Sequence, residues 1–286
     1  MTRSHGKGLR PTLTLLCAKL GGNPVSDNAI RAAVIVELLH EATLVHDDVV
    51  DESSQRRGFP SLSSKFKNKI SVLYGDYMLA NALTETLDAR DFQWLDILST
   101  TAKRMAKGEL VQAARTRKLN ITENEYLEMI GNKTAALFSA CCQLGGISGG
   151  LEIEQQRILG EFGRSFGITF QIRDDILDLF GKGMIIGKPT GGDLKERKLT
   201  LPLLGAFQEA PSRETRRVRA RIRRGVKKRD ISVIIDFITK YKGLDYAEDV
   251  MNREAEHAIS KLEQLPESSV RNILQEMVIF ALSRKK

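Results

Sequence analysis

Two acidic runs of one form, Asp47-Asp48-Val49-Val50-Asp51 and Asp174-Asp175-Ile176-Leu177-Asp178, stand far apart in this chain, and each follows an apolar stretch with helical spacing. A helix turns about 100° per residue, so side chains at i and i+4 share a face. Asp47 and Asp51 then point the same way, as do Asp174 and Asp178, and each helix offers a small carboxylate claw. Carboxylates this close repel and raise one another's pKa unless a cation sits between them. A hard divalent ion that keeps several waters suits such a claw, with a phosphate as its third partner. The polar stripes run further: His40, Thr43, Asp47 and Asp51 on the first helix, and Gln171, Asp174, Asp175 and Asp178 on the second. Ile35, Leu38, Leu39, Val45 and Val49 cover the first helix, and Ile168, Ile172, Ile176 and Leu179 the second. A single acidic triplet is most simply a solvated helix face. Two copies in otherwise apolar helices argue against that.

Cationic turns accompany the acids. Arg56-Arg57 precedes Gly58-Phe59-Pro60, residues that punctuate helices. A guanidinium fork binds phosphate oxygens in bidentate fashion, so two can serve two separate groups. Gly6-Lys7-Gly8-Leu9-Arg10-Pro11, Lys133-Thr134, the run Gly187-Lys188-Pro189-Thr190-Gly191-Gly192-Asp193, and Lys198 add more positive charge. Any one of these is an ordinary surface charge. Together with two claws they describe a site for two polyanionic groups and several metal ions.

The segments GKGLRP, LLHEATLVHDDVVDESSQRRGFPS, KTAALF, FQIRDDILDLFG and GKPTGGDLKERKLTLP resemble, in this order, the motifs of the all-trans polyprenyl diphosphate synthases, of the long-chain, octaprenyl diphosphate synthase-like type. LDYAEDVMNREAEHAISKL and LPESSVRNIL resemble the C-terminal helices of that family, so the likeness runs over essentially the whole chain. It implies an all-α fold, an isoprenoid synthase-type helical bundle around a central cavity, with residues 1–286 as one synthase domain. It also implies head-to-tail prenyl transfer: an allylic diphosphate ionises with Mg²⁺ assistance, isopentenyl diphosphate attacks the carbocation, and a proton is lost. Three Mg²⁺ ions per active site and a homodimer are implied as well, the stretch Val72 to Leu87 resembling the interface region.

By position, the resemblance makes Asp47, Asp51 and Asp174 ligands of the metals that hold the allylic diphosphate, with Asp48, Asp175 and Asp178 supporting directly or through water. Arg56, Lys133, Lys188 and Lys198 would cradle that diphosphate, and Lys7, Arg10, His40 and Arg57 the isopentenyl diphosphate. Gln171 and Thr134 would sit near the reacting centre, where their dipoles can stabilise a carbocation. No strong general base is needed, because the released diphosphate can accept the proton. The chain departs from the family pattern in three places. Few residues precede Gly6, where the family carries an N-terminal helix; Gly8 stands where Arg is common, and Arg197 where Gly is common.

The chain has 286 residues and no Pro/Ser-rich linker, and residues 61–188 hold no proline, which favours a continuous helical bundle. Cys17, Cys141 and Cys142 are odd in number, and two are adjacent in an apolar helix; they read as small core residues in a reducing compartment, the cytoplasm. No signal-peptide-like or bilayer-length apolar run is present. The net charge of +8 concentrates between Arg213 and Arg229. Such a run is first of all a solvated surface, second a patch for transient contact with anionic membrane headgroups. Nucleic acid is not an expected partner, since the run lacks interleaved aromatics and a reader motif.

Two other classes share part of this pattern. A class I terpene cyclase carries one such aspartate motif, but its second metal motif mixes Asn, Ser or Thr with Glu, whereas here both are DDxxD. A non-catalytic partner subunit would have eroded motifs, and these are intact. Within the synthases, a bulky aromatic one turn before the first Asp closes the product pocket early. Ala42 and Thr43 stand there, both small, and nothing is inserted in DDVVD. The reading is therefore a product beyond geranylgeranyl diphosphate, such as the side chain of a respiratory quinone, with a shorter-chain synthase as the alternative.

Overall fold

Helix-capping residues divide this chain much as its periodicity suggests. The computed structural model describes residues 8–56, 59–181 and 191–284. α1 (Leu9–Lys19) and α2 (Asp27–Val50) come first, and the Ser26 side chain accepts the Ala29 amide to start α2. Gln55–Arg56 pairs antiparallel with Phe59–Pro60, after which Ser61 caps α3 (Leu62–Asp88) through the Ser64 amide. Lys67 adopts φ 67° and kinks α3. α4 (Phe92–Lys118) follows, then α5 (Glu123–Ile130), opened by a reciprocal Thr122/Glu125 capping box. A π-helical segment, Gly131–Ala135, joins α5 to α6 (Ala136–Ser148), and α7 (Ile153–Phe180) carries the second acidic motif. The remaining helices are α8 (Gly192–Lys195), α9 (Leu201–Glu209), α10 (Ser212–Arg223), α11 (Lys228–Lys240), α12 (Gly243–Glu263) and α13 (Ser269–Ser283). The all-α expectation holds.

The chain forms two compact units. The first contains residues 1–103, 137–163 and 264–274. Within it α1 and α6 pack at the distance of backbone contact, which only glycine permits: a Cβ on Gly145 would lie 2.8 Å from Cys17 Cβ. Cys17, Cys141 and Cys142 are free and buried there, and burial pushes the Cys141 thiol up to about 12, so all three behave as apolar core. One stripe of α3 does the opposite. Ile70, Leu73 and Tyr77, spaced by three and four residues beyond the kink, are each at least half exposed.

The second unit contains residues 104–136, 164–263 and 275–286. Its core is continuous. Ile168, Ile172, Ile176 and Leu179 of α7 are buried against Tyr126 and Ile130 of α5, Leu201 and Leu203 of α9, Ile234 and Ile238 of α11, and Val250 and Met251 of α12. These four positions are those the periodicity assigned to the covered face of α7. Asp230 is fully buried at the start of α11, where Arg221 and Arg224 pair with its carboxylate and the Lys227 amide donates at 3.0 Å. Hydrogen bonds to the charged form, first from that amide and then from Arg221, hold Asp230 down at about 2.

Candidate active site

The first motif lies in the first unit. Asp47 and Asp51, half-buried, end α2, and the Asp51 amide closes back on the Asp47 carbonyl at 2.8 Å. Asp48 points inward instead and is 4 % exposed. A carboxylate buried to that degree needs a partner, and Arg56 supplies it: its Nε and one Nη each lie 2.8 Å from Asp48 Oδ1. The strand pair Gln55–Arg56/Phe59–Pro60 sets that guanidinium in place. One turn and more before the acids, buried His40 accepts a hydrogen bond from Arg10 Nη1 at 2.9 Å, and the Arg10 guanidinium lies 4.7 Å above the Phe138 ring. The Thr43 hydroxyl donates to the His40 carbonyl at 2.7 Å, while Ala42 faces the core, 1 % exposed. Two residues expected to share one diphosphate, Arg10 and His40, are therefore in contact. Their expected partners Lys7 and Arg57 lie outside the described residues, as does Lys188.

The second motif is an ordered network inside the second unit. Asp175 is buried, and its carboxylate receives the Tyr126 hydroxyl on Oδ2 at 2.6 Å and Gln171 Nε2 on Oδ1 at 2.8 Å. Thr134 in turn donates to Gln171 Oε1 at 2.7 Å. Asp178 accepts the amides of Gly192 and Asp193, each at 3.1 Å, so the first turn of α8 is tied to the claw. Asp174 is more exposed and pairs with Arg284, whose guanidinium lies 4.3 Å over the Phe170 ring while Arg173 binds the Arg284 carbonyl at 2.6 and 2.9 Å. Lys133 reaches Glu109 at 2.5 Å, and Lys198 reaches Glu196 at 2.6 Å. Lys133, Thr134, Gln171, Asp175, Asp193 and Lys198 line a cavity of about 110 Å³.

Burial dominates the electrostatics of this network. Burial, opposed by hydrogen bonds from Tyr126 and Gln171 and reinforced by the charges of Asp174 and Asp178, pushes the Asp175 carboxyl up to about 7. Asp178 is raised by burial, against the pull of the Asp193 and Gly192 amides. Burial raises Asp193 well above its ordinary range, with Asp175 and Asp178 adding to it. Carboxylates are hard oxygen donors, the ligand chemistry that Mg²⁺ takes. Among the described residues no three acids stand as a ready ligand set. The oxygens of Asp48, Asp174, Asp175 and Asp178 are turned to Arg56, Arg284, Tyr126 with Gln171, and backbone amides, in that order.

The polyprenyl synthetase family model matches residues 1–238. The chain belongs to this family. It is 35% identical over 284 residues to the octaprenyl diphosphate synthase of Haemophilus influenzae, covering 99% of this chain and 86% of that protein. It is 37% identical over 284 residues to the geranyl-diphosphate-specific all-trans-nonaprenyl-diphosphate synthase of Rhodobacter capsulatus, covering 99% and 87%. A crystal structure of a decaprenyl diphosphate synthase from Rhodobacter capsulatus superposes with a TM-score of 0.92 at 38% identity, covering 99% of this chain and 87% of that one. Asp47, Asp51, Asp174, Asp175 and Asp178 lie within the residues that the family model matches. Tyr126, Asp193 and Arg284 were not singled out as site residues from the sequence. Asp193 stood within a quoted motif, whereas Tyr126 and Arg284 carried no local signal.

Proposed function

We propose that this protein condenses isopentenyl diphosphate with an allylic diphosphate, head to tail, and releases a long-chain all-trans polyprenyl diphosphate. The observation that carries the reading is the network of Asp175, Gln171, Thr134 and Tyr126 beside a cavity that also exposes Lys133 and Lys198. Asp47, Asp51, Asp174, Asp175 and Asp178 are the residues suited to hold Mg²⁺, three ions per site in this proposal. Bound there, Mg²⁺ supplies the charge neutralisation that makes a diphosphate a good leaving group. Arg56, Lys133, Lys188 and Lys198 bind the allylic diphosphate and share that neutralisation as fixed cations. Lys7, Arg10, His40 and Arg57 hold isopentenyl diphosphate, and the Arg10–His40 contact at 2.9 Å supports their acting as one unit. Gln171 Oε1 and Thr134 Oγ1 offer dipoles to the allylic cation, and the departing diphosphate takes the proton.

The small side chain at Thr43 leaves the tail room to grow, which favours a long product and a quinone side chain as its use, while Ala42 is taken up by the core. The chain is proposed to act as one synthase domain and as a homodimer. The exposed apolar side chains Ile70, Leu73 and Tyr77 support the dimer, since contiguous water-facing apolar surface is what an interface covers. Three free buried thiols fit a reducing compartment, the cytoplasm. Incubation with isopentenyl and farnesyl diphosphates plus Mg²⁺, followed by lipid extraction, tests the reading. A linear long-chain diphosphate is expected. A cyclic hydrocarbon would make the protein a cyclase, and the absence of any product would make it a binding subunit.

A further inference from the structure

The positive excess of this chain is local. Residues 212–230 hold ten Arg and Lys against Glu214 and Asp230, a surplus equal to the net charge of +8 for the whole chain, so elsewhere the two signs balance. Both of those acids are engaged within the fold. Lys240 Nζ lies 3.2 Å from each Glu214 oxygen, and Asp230 is buried under Arg221 and Arg224. Val218 and Ile222 are buried and anchor one side of α10. At about 100° per residue the opposite arc carries Arg213, Arg216, Arg217 and Arg223, and all four are exposed. Lys228 and Arg229 extend the exposed positive surface into α11. Arg219 behaves differently, donating to the Leu119 carbonyl at 3.1 Å and stacking 4.8 Å over Phe207.

We propose that this face docks the protein on an anionic lipid bilayer. From Arg213 to Arg223 the charges run about 15 Å along one rigid helix, an array suited to a flat field of headgroup phosphates. No aromatic side chain interrupts residues 212–230, so nucleic-acid bases would find no stacking partner. The inference rests on the proposed function in one respect: a polyprenyl diphosphate is an amphiphile whose tail must leave water, and a bilayer is where it goes. Each Arg or Lys near such a surface strengthens partitioning about five-fold.

The test is co-sedimentation of the full chain with phosphatidylcholine vesicles, with and without phosphatidylglycerol, at low and high salt. Partitioning is expected only with phosphatidylglycerol, and it should fade at high salt. The triple variant Arg213→Gln, Arg217→Gln, Arg223→Gln should lose about 100-fold in partitioning, while Lys69→Gln, Lys103→Gln, Arg253→Gln should bind as the parent does. Equal partitioning into neutral vesicles, wild-type binding by the first variant, or displacement from vesicles by duplex DNA at matched phosphate would overturn the proposal. Prenyl transfer measured in detergent should be the same in all three proteins. Its absence from the parent would count against the proposed function and leave the vesicle result standing.

Discussion

Tyr126→Phe removes one oxygen from a side chain that is 1 % exposed and leaves the ring that packs the core. What it takes away is the 2.6 Å hydrogen bond to Asp175 Oδ2, in the length range of an O–H donated to a carboxylate. Such bonds to charged groups contribute about 1.5–3 kcal/mol. At about 1.4 kcal/mol per tenfold, a loss confined to the working geometry of Asp175 lowers kcat/KM for the allylic diphosphate by about 10- to 100-fold. The Mg²⁺ concentration for half-maximal turnover should rise in parallel, because one claw oxygen is no longer aimed. KM for isopentenyl diphosphate should stay close to wild type. Steady-state kinetics with each substrate varied in turn, over a Mg²⁺ titration, reads all three. A variant with native circular dichroism, wild-type kcat/KM and unchanged Mg²⁺ dependence would refute the idea that Tyr126 positions Asp175.

Asp47→Ala and Asp174→Ala should each cut turnover by orders of magnitude with little change in thermal stability, since both side chains are only half-buried; near-normal turnover at saturating Mg²⁺ would remove that residue from the metal set. Thr43→Phe should shorten the product towards the farnesyl or geranylgeranyl range, because Thr43 stands four residues, about 6 Å, before Asp47 on the same face; chromatography of the dephosphorylated lipids checks it, and an unchanged long product would send the tail elsewhere. Ala42→Phe differs, since Ala42 is 1 % exposed and an intruding ring costs about 1–3 kcal/mol of stability. Asp230→Asn should lower the melting temperature at neutral pH. The folded carboxyl titrates at about 2, below its ordinary value near ~3.9, so it stabilises above pH ~4 and loses that effect as pH falls towards 2. The gap between parent and variant should therefore close across that window, and a gap independent of pH would exclude the ion pairs as its cause.

Local periodicity was enough to read the buried stripe of α7 and a continuous helical bundle, because those features repeat within a few turns. What escaped was mostly long-range. Tyr126 meets Asp175 from 49 residues away, and Arg284 meets Asp174 from 110, so no spacing rule connects them. Some of the cations expected to bind diphosphate stand on protein partners. Arg56 neutralises Asp48 because Asp48 turned out to be buried, a fact of tertiary packing. The basic run reads as solvated, yet Arg219, Arg221 and Arg224 turn to the Leu119 carbonyl and to Asp230. Helical wheels alone cannot see an acid hidden beneath them.

The π-helical segment Gly131–Ala135 acts as a phase shifter. In an unbroken α-helix Tyr126 and Thr134, eight residues apart, would diverge by about 80°. One extra residue absorbed in a single wide turn rotates Thr134 back to within about 20° of Tyr126. Only then can both reach one strip of α7, where Gln171 and Asp175 stand a turn apart. Deleting a single residue from that segment would restore an ordinary helix with every local hydrogen bond intact. It would also put the two halves of the network out of step, a lesion of timing along the chain in which no side chain of the network is lost.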